Sequence, residues 1–365
     1  MLVASHALTL PLDAYNLSPA PTRQKLPAKL VEISLRSMSG LETEGILAIP
    51  ELHEQDKIAL EEQEQAVVLS GSIRTRLIPL SPLEERKVIV GIDTSSLKLG
   101  ETGGGLLVAL RAAVVWRNGR YCRYLRLGPL VFHVTEQNKD EIYNELRRYC
   151  LGLSERREAP SLPYVPMRLS NIFDLWARSL ACNLFSNSVL VFDGPLAIGP
   201  DGVSPALRGL LELARSNENL VIGISKTSRL ILMGKPLMDM LNGIPGPCLL
   251  EVEGQFPPAQ STVKLLGRIH VAKLSPFSCP FRLDIDAALP REKGINAVRA
   301  LLSNDAIYQG YPETLRLAHI IATFTAPEVM AMQLMLSKAY RLRIIRKPDV
   351  RRLLFGPFGT GGARN

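Results

Sequence analysis

The feature that most constrains the fold is a series of three long apolar runs between residues 87 and 135. The first run, KVIVGI, is apolar at consecutive positions and gives way to polar residues at Asp93, which is typical of a central strand buried on both faces. The next two runs are rich in β-branched and aromatic residues and meet at Asn118-Gly119, a strong signal for a tight hairpin. The sequence therefore predicts an antiparallel meander of three strands.

Helix and strand patterns follow this meander. Residues 138–150, 167–185 and 203–218 have the periodicity of helices, and the segments NSVLVFDGPL and NLVIGISK predict two more buried strands. Three antiparallel strands followed by further strands that alternate with helices are typical of the ribonuclease H-like fold. We therefore expect an α/β protein with a mixed five-stranded sheet and flanking helices.

The remaining residues are predicted to lie outside this core. Residues 1–85 are expected to form an N-terminal extension that packs on the core or on a second subunit, with an exposed helix at 51–66. The main domain would then span residues 86–345, and residues 346–365 would form a basic, flexible tail.

The charge is concentrated at the C-terminus. The net charge is +8, and residues 338–365, with eight basic side chains and one acidic one, account for +7 of it. A cationic segment of this kind can bind the phosphates of nucleic acids, because each Lys or Arg displaces counterions. The alternative is a solvated helix end followed by a flexible tail.

The cysteines and the hydropathy pattern indicate a cytoplasmic protein. The five cysteines lie far apart and form no CxxC motif, which argues against a structural zinc site and a disulfide framework. The N-terminus has no basic region before its apolar residues, so a secretory signal is not expected. No stretch approaches the roughly 18 uncharged apolar residues that span a membrane.

Two aspartates follow predicted buried strands. Asp93 comes after VIVGI, and Asp193 comes after VLVF. Polar groups at strand ends of an open α/β sheet can converge, and carboxylate oxygens are preferred ligands of Mn²⁺ and Mg²⁺. A single strand-end Asp is more often a turn former, but the pair within this strand order favours a metal site that acts on a phosphodiester.

Three further residues are candidates for the same site. Asp174 lies on the helix before the Asp193 strand, where it is either a third ligand or an ordinary exposed acid. Lys226, at the predicted end of the fifth strand, would hold a phosphate or the attacking water, unless it is merely solvated. His319, on a later helix with apolar neighbours, is either a core histidine or a ligand or proton carrier.

These segments together resemble the NurA nuclease family over most of residues 86–340. The family pattern is a strand ending in Asp-Gly-Ser, a helix with a catalytic Glu, Asp-Gly-x-Leu, Ile-Ser-Lys, a Lys-Leu strand before Arg-x-Glu, Gly-Tyr-Pro and Ala-His. The corresponding residues here are Asp93-Thr94-Ser95, Asp174, Asp193-Gly194-Pro195-Leu196, Ile224-Ser225-Lys226, Lys273-Leu274, Arg282-x-Asp284, Gly310-Tyr311-Pro312 and Ala318-His319.

The resemblance implies a Mn²⁺-dependent DNA nuclease, usually a dimer, that resects DNA ends together with the hexameric translocase HerA. It implies that Asp93, Asp174, Asp193 and His319 hold the metal and that Lys226 acts on the phosphate. Asp174 stands where the family has Glu, so a subunit with weakened catalysis that serves as a scaffold for the translocase is an alternative.

A second alternative rests on a single motif. The stretch VGIDTSS also resembles the first phosphate-binding motif of sugar kinases with an actin-like fold. No second phosphate loop or adenosine-binding glycine loop follows, and Pro195 would make the turn after Asp193 rigid. The sequence therefore favours the nuclease.

Overall fold

The helices and strands come from a computed structural model. It describes residues 17–19, 26–41, 45–50, 65–66, 73–198, 203–226, 228, 230–232, 234–252 and 264–347. The α-helices within these ranges are α1 (Ala28–Met38), α2 (Lys139–Leu151), α3 (Val165–Leu184), α4 (Ser204–Ser216), α5 (Arg291–Asn304), α6 (Glu313–Ala322) and α7 (Ala326–Tyr340).

Most strands belong to one large sheet. The strands are β1 (Leu17–Pro19), β2 (Ile46–Pro50), β3 (Gln65–Ala66), β4 (Leu77–Pro79), β5 (Ile89–Glu101), β6 (Gly105–Asn118), β7 (Tyr121–Thr135), β8 (Val189–Asp193), β9 (Ala197–Ile198), β10 (Leu220–Ser225), β11 (Leu230–Leu232), β12 (Lys235–Pro236), β13 (Cys248–Glu251), β14 (Lys264–Leu265), β15 (Gly267–Lys273), β16 (Phe281–Asp286), β17 (Ile307–Tyr308), β18 (Tyr311–Pro312) and β19 (Arg343–Lys347).

The sheet confirms the predicted ribonuclease H-like core. Strands β7, β6 and β5 form the antiparallel meander, with the β6–β7 turn after Asn118, and β8 and β10 continue the sheet in parallel to β5. The sheet has 12 strands in the described part of the chain, because it also contains β1, β2 and β19 and extends beyond β10 through β16, β15, β13 and β4. The four strands beyond β10 are antiparallel to their neighbours, so no further helical crossover is needed between them.

Both faces of the sheet are covered. Helices α1 to α4 pack on one face, against the apolar side chains of β5 to β8. Helices α5 and α6 pack on the other face, and α7 packs near the far ends of β5 and β6. The central strands therefore have their side chains buried on both sides, as the continuous apolar runs predict.

The described parts of the N-terminal region are built into this core. Helix α1 contributes Leu30 and Ile33 to the core beside β7, while β2 pairs with β5 and β4 pairs with β13. Most of the helix predicted at 51–66 lies outside the described residues, and its last two residues form β3 instead. The division at residue 85 stays a prediction.

The described residues after α7 form one more strand. Helix α7 is followed by β19, which runs parallel to β2 and continues through Lys347. Residues 346 and 347, the first two of the predicted tail, pair with β2 through their backbone, and the tail itself stays a prediction. Residues 348–365 lie outside the described residues.

One described segment, Glu313–Tyr340, is long and apolar enough to pass for a membrane span by length and composition. It consists of α6 and α7, which are separated at residues 323–325. Both helices contribute side chains to apolar clusters of the protein: Leu315 and Leu317 from α6, and Val329 and Leu336 from α7.

Candidate metal centre at the strand ends

The pairing of β5 with β8 brings Asp93 and Asp193 together. The two strands run parallel with Ile92 opposite Phe192, and each aspartate is the next residue along its strand. Ile92 and Phe192 point into the core beneath α3. Because successive side chains of a strand alternate between faces, both aspartates point to the opposite face, where α6 lies.

Helix α6 reaches this position because β5 contains Gly91. A Cβ atom at Gly91 would lie 2.7 Å from the Thr314 carbonyl oxygen and 2.8 Å from the backbone nitrogen of Leu315. Leu315 packs into the core beneath the sheet, and His319 lies one helical turn further along the same face. The missing side chain at Gly91 thus places His319 beside the strand ends.

Asp93, Asp193 and His319 form a compact group. Each offers one ligand atom, and the three atoms lie within 4.8 Å of one another. His319 Nδ1 is 2.6 Å from Asp93 Oδ2, and the Thr94 amide donates to the other carboxylate oxygen at 2.8 Å. An ionised carboxylate only accepts hydrogen bonds, so the His319 ring donates through Nδ1. Two carboxylates and an imidazole are a donor set that suits a divalent metal ion.

Lys226 and Tyr311 border this group. Lys226 Nζ donates to Asp193 Oδ2 at 3.0 Å and lies 5.5 Å from the centroid of the Tyr311 ring. Burial, with the negative charges of Asp193 and Asp93, raises the pKa of the Tyr311 hydroxyl above its usual value. The sequence assigns Tyr311 no role beyond its place in the Gly-Tyr-Pro motif, because a tyrosine alone does not indicate a metal site.

Asp174 lies near the group but has a different partner. Its Oδ2 is 2.7 Å from Arg178 Nη2, which also donates to the Asp193 carbonyl oxygen at 2.7 Å. Arg178 is four residues after Asp174 on α3, the spacing at which helical side chains of opposite charge pair. The sequence therefore contains the signal for this ion pair, although the two interpretations offered for Asp174 are a third ligand and an ordinary exposed acid.

Burial is the largest influence on the Asp174 carboxyl group. It raises the pKa of Asp174 to about 6. The Arg178 guanidinium opposes this rise, whereas the negative charges of Asp93 and Asp193 add to it. Asp174 therefore lies within electrostatic range of both aspartates.

The structure thus brings four of the five predicted site residues together. Asp93, Asp193 and His319 form the candidate metal group, and Lys226 bonds to Asp193. Asp174 stands outside the group, held by Arg178. The catalytic and metal-binding roles of all five stay predictions.

The strand order and the polar group at the strand ends define an α/β protein of ribonuclease H-like fold. Residues 87–324, more than half of the chain, match the NurA domain, and the chain therefore belongs to the NurA family. The matched range includes Asp93, Asp193 and His319. No curated protein sequence matches the chain.

Several solved nuclease structures are similar to this chain. The NurA nuclease from Sulfolobus solfataricus is 17% identical, with 74% of this chain and 89% of that chain covered and a TM-score of 0.46. A second NurA structure is 11% identical, with coverages of 72% and 91% and a TM-score of 0.36. Endonuclease V from Bacillus subtilis is also 11% identical, with coverages of 73% and 90% and a TM-score of 0.33. The family assignment rests on the sequence match.

Proposed function

We propose that this chain is a divalent-metal-dependent deoxyribonuclease that removes nucleotides from DNA ends and cuts single strands internally. The observation that carries the proposal is the group formed by Asp93, Asp193 and His319, whose ligand atoms lie within 4.8 Å of one another. Membership of the NurA family supports the same activity. Mn²⁺ is the proposed ion, with Mg²⁺ as a substitute, because a site that includes imidazole suits Mn²⁺ better than the harder Mg²⁺.

A divalent cation in this group would supply charge neutralisation and water activation for phosphodiester hydrolysis. Asp93 and Asp193 would hold the ion. Asp93 is 6% exposed, so it is screened from solvent and stays aligned with His319. His319 would complete the ligand set through one ring nitrogen and hold a proton on the other.

Lys226 is suited to bind the substrate phosphate. Its side chain is 42% exposed while its Nζ atom remains 3.0 Å from Asp193. An ammonium group at this distance from a metal ligand can contact a phosphate that approaches the same carboxylates. The His319 side chain is 41% exposed, so DNA can reach this side of the group.

DNA as the substrate is also supported by the charge distribution. Eight basic residues and one acidic residue lie between positions 338 and 365. Within the described part of this segment, Lys338, Arg341 and Arg343 are exposed. Exposed cations can bind phosphates along the strand without reading its sequence.

The proposed partners are a second copy of the chain and a hexameric translocase of the HerA type, with end resection in the cytoplasm as the role. One observation supports an interface between proteins. The outer face of α7 exposes Met330, Leu334 and Met335 by 53%, 52% and 59%. Large apolar side chains grouped on one surface are typical of protein interfaces. A homodimer would have a molar mass in solution twice that of the chain. We expect the Leu334→Glu variant to have the molar mass of a single chain.

The activity is tested with labelled single-stranded and blunt double-stranded DNA in the presence and absence of Mn²⁺. We expect cleavage that requires the metal and disappears in Asp93→Asn. Asp239→Asn is the matched control, because Asp239 is an exposed aspartate on the Leu237–Leu241 segment outside the metal group. Cleavage retained by Asp93→Asn would contradict the proposed site.

A second candidate is a scaffold subunit with weakened catalysis. It is favoured by the Asp174–Arg178 ion pair, because Asp174 stands where the family has Glu and its carboxylate is already paired with Arg178. Binding to a HerA-type ATPase without any Mn²⁺-dependent cleavage would support the scaffold. Sugar-dependent ATP hydrolysis would instead support the kinase.

A further inference from the structure

The turn that follows β8, residues 193–196, is fixed to the sheet at its first two residues. The Asp193 carbonyl oxygen accepts from Arg178 at 2.7 Å, and the Gly194 amide donates to the Ile224 carbonyl oxygen at 2.8 Å. Gly194 has a φ of +106°, a conformation that other residues rarely adopt. We call these residues the Asp193 turn.

The other end of the Asp193 turn is fixed at Leu196. Its amide donates to Asp284 Oδ2 at 3.0 Å, and its carbonyl oxygen accepts from the amides of Leu266 at 2.8 Å and Gly267 at 3.1 Å. Asp284 is fully buried on β16, which is separated from β8 by β10. A side chain two strands away therefore holds the peptide group three residues after Asp193.

Asp284 is itself held by Arg282 on the same strand. Arg282 Nε lies 2.8 Å from Oδ1 and Arg282 Nη2 lies 2.9 Å from Oδ2. The pair is bidentate, which fixes the plane of the carboxylate as well as its position. Arg282 is also buried, so the charge of Asp284 is balanced within the protein.

Two glycines leave the space that this arrangement needs. A Cβ atom at Gly223 would lie 2.6 Å from the Gly194 carbonyl oxygen. A Cβ atom at Gly267 would lie 2.8 Å from the Asp284 Cβ and 3.0 Å from the Leu196 Cβ. The Asp193 turn thus lies directly on the sheet, within reach of the buried carboxylate.

We propose that Asp284, oriented by Arg282, is a positioning residue that fixes the direction in which the Asp193 carboxylate points at the end of β8. The fixed Leu196 peptide prevents the Asp193 turn from rotating, and Asp193 therefore stays beside Asp93 and His319. This inference rests on the proposed function in taking Asp193 as a metal ligand.

The test compares Asp284→Asn with Asp286→Asn. Asp286 lies on the same strand, is 2% exposed, and accepts from Arg215 at 2.6 Å and from the Ala288 amide at 3.0 Å. It is therefore matched in burial and bonding, but none of its hydrogen bonds is to the Asp193 turn. Asparagine at either position keeps the shape of the side chain but replaces one carboxylate oxygen with an NH₂ group. This group cannot accept the hydrogen bond that the oxygen accepted.

Two readouts separate positioning from general stability. We expect amide hydrogen exchange at Leu196 to rise roughly tenfold in Asp284→Asn and to stay unchanged in Asp286→Asn. We also expect the Mn²⁺ dissociation constant, measured by calorimetry, to rise roughly tenfold only in Asp284→Asn, since groups that orient metal ligands typically contribute 10- to 100-fold. Equal values for the two variants in both readouts would overturn the proposal.

A failure of the proposed function would look different. Wild-type protein that neither binds Mn²⁺ nor cuts DNA, with exchange at Leu196 still raised only in Asp284→Asn, would refute the nuclease and support the positioning. If Asp284→Asn does not fold, Arg282→Lys keeps the charge but removes the bidentate contact. We then expect a smaller increase in Leu196 exchange, and no increase would overturn the proposal.

Discussion

His319 Nδ1 and Asp93 Oδ2 are 2.6 Å apart, although the two residues are separated by 226 positions in the chain. This contact joins helix α6 to the end of β5. Because Asp93 accepts from one ring nitrogen, the imidazole plane is fixed relative to the strand ends. The histidine is therefore held in place before any ligand arrives.

Replacing this histidine should weaken metal binding. We expect His319→Ala to raise the Mn²⁺ dissociation constant roughly 10- to 100-fold, because a ligand and a hydrogen bond to Asp93 are both lost. Ile320→Ala is the control, since Ile320 is the next residue of α6 and is 42% exposed. Calorimetric titration measures both. Unchanged affinity and cleavage in His319→Ala would show that the assignment of His319 is wrong.

Asp174 and Asp193 should differ in importance. Asp193 belongs to the group of possible ligands, whereas Asp174 is bonded to Arg178 at 2.7 Å. We therefore expect Asp193→Asn to abolish measurable Mn²⁺ binding and Asp174→Asn to reduce the affinity roughly tenfold, the lower end of the range for a group that lies beside the ligands without binding the metal. If the two variants lose the same affinity, Asp174 is a ligand after all.

Gly91 should tolerate no side chain. The added Cβ in Gly91→Ala would meet backbone atoms of Thr314 and Leu315 at 2.7 to 2.8 Å, and backbone atoms in a packed helix cannot move aside cheaply. We expect a loss of about 1–3 kcal/mol in the free energy of unfolding, with weaker Mn²⁺ binding as α6 shifts. Urea denaturation measures the stability.

Gly209→Ala is the matched control for this substitution. Gly209 lies within α4, and a Cβ atom there has no neighbour within 4 Å. Alanine is the better helix former by about 1 kcal/mol, so this variant should be as stable as the wild type or more so. Equal destabilisation in both variants would contradict the role of Gly91.

Glu328 should make stability depend on pH. Burial opposes the shift, but hydrogen bonds from the Thr325 amide, Arg111 and Arg126 hold the pKa of Glu328 at about 2, below its usual 4.5. A carboxyl with a lowered pKa stabilises the fold above its unfolded pKa, and this contribution disappears as the pH falls from 4.5 towards 2.

We therefore expect Glu328→Gln to lower the Tm at pH 7 and the difference from wild type to shrink below pH 4.5. Thermal melts across this range measure the difference. Glu136→Gln is the control, because the Glu136 side chain is 59% exposed in its ion pair with Lys139 and its replacement should cost little at any pH. A gap between Glu328→Gln and wild type that is constant with pH would contradict the account.

The core of the fold could be predicted because its signals are local. Continuous apolar runs identify β5 to β8 and β10, and Asn118-Gly119 identifies the hairpin between β6 and β7. Strands β13 and β4 carry no comparable signal, because they are short and their pairing is decided by distant partners. The number of strands in the extended sheet could therefore not be predicted from the sequence.

The candidate site was predictable to a similar degree. Strand-end positions identify Asp93 and Asp193. For His319 the resemblance to the NurA family was needed, because its apolar neighbours do not distinguish a metal ligand from a core histidine. The Asp174–Arg178 pair shows the limit, since the spacing predicts a helical ion pair but not that Arg178 also binds the Asp193 carbonyl oxygen. Such shared partners depend on how α3 packs against the strand ends.

The most direct test of the central claim is a crystal structure of the protein with Mn²⁺, with the ion located by its anomalous scattering. We predict one peak bonded to Asp93, Asp193 and His319, the residues whose ligand atoms lie within 4.8 Å of one another. A peak elsewhere, or none at these residues under conditions in which DNA is cut, would contradict the claim.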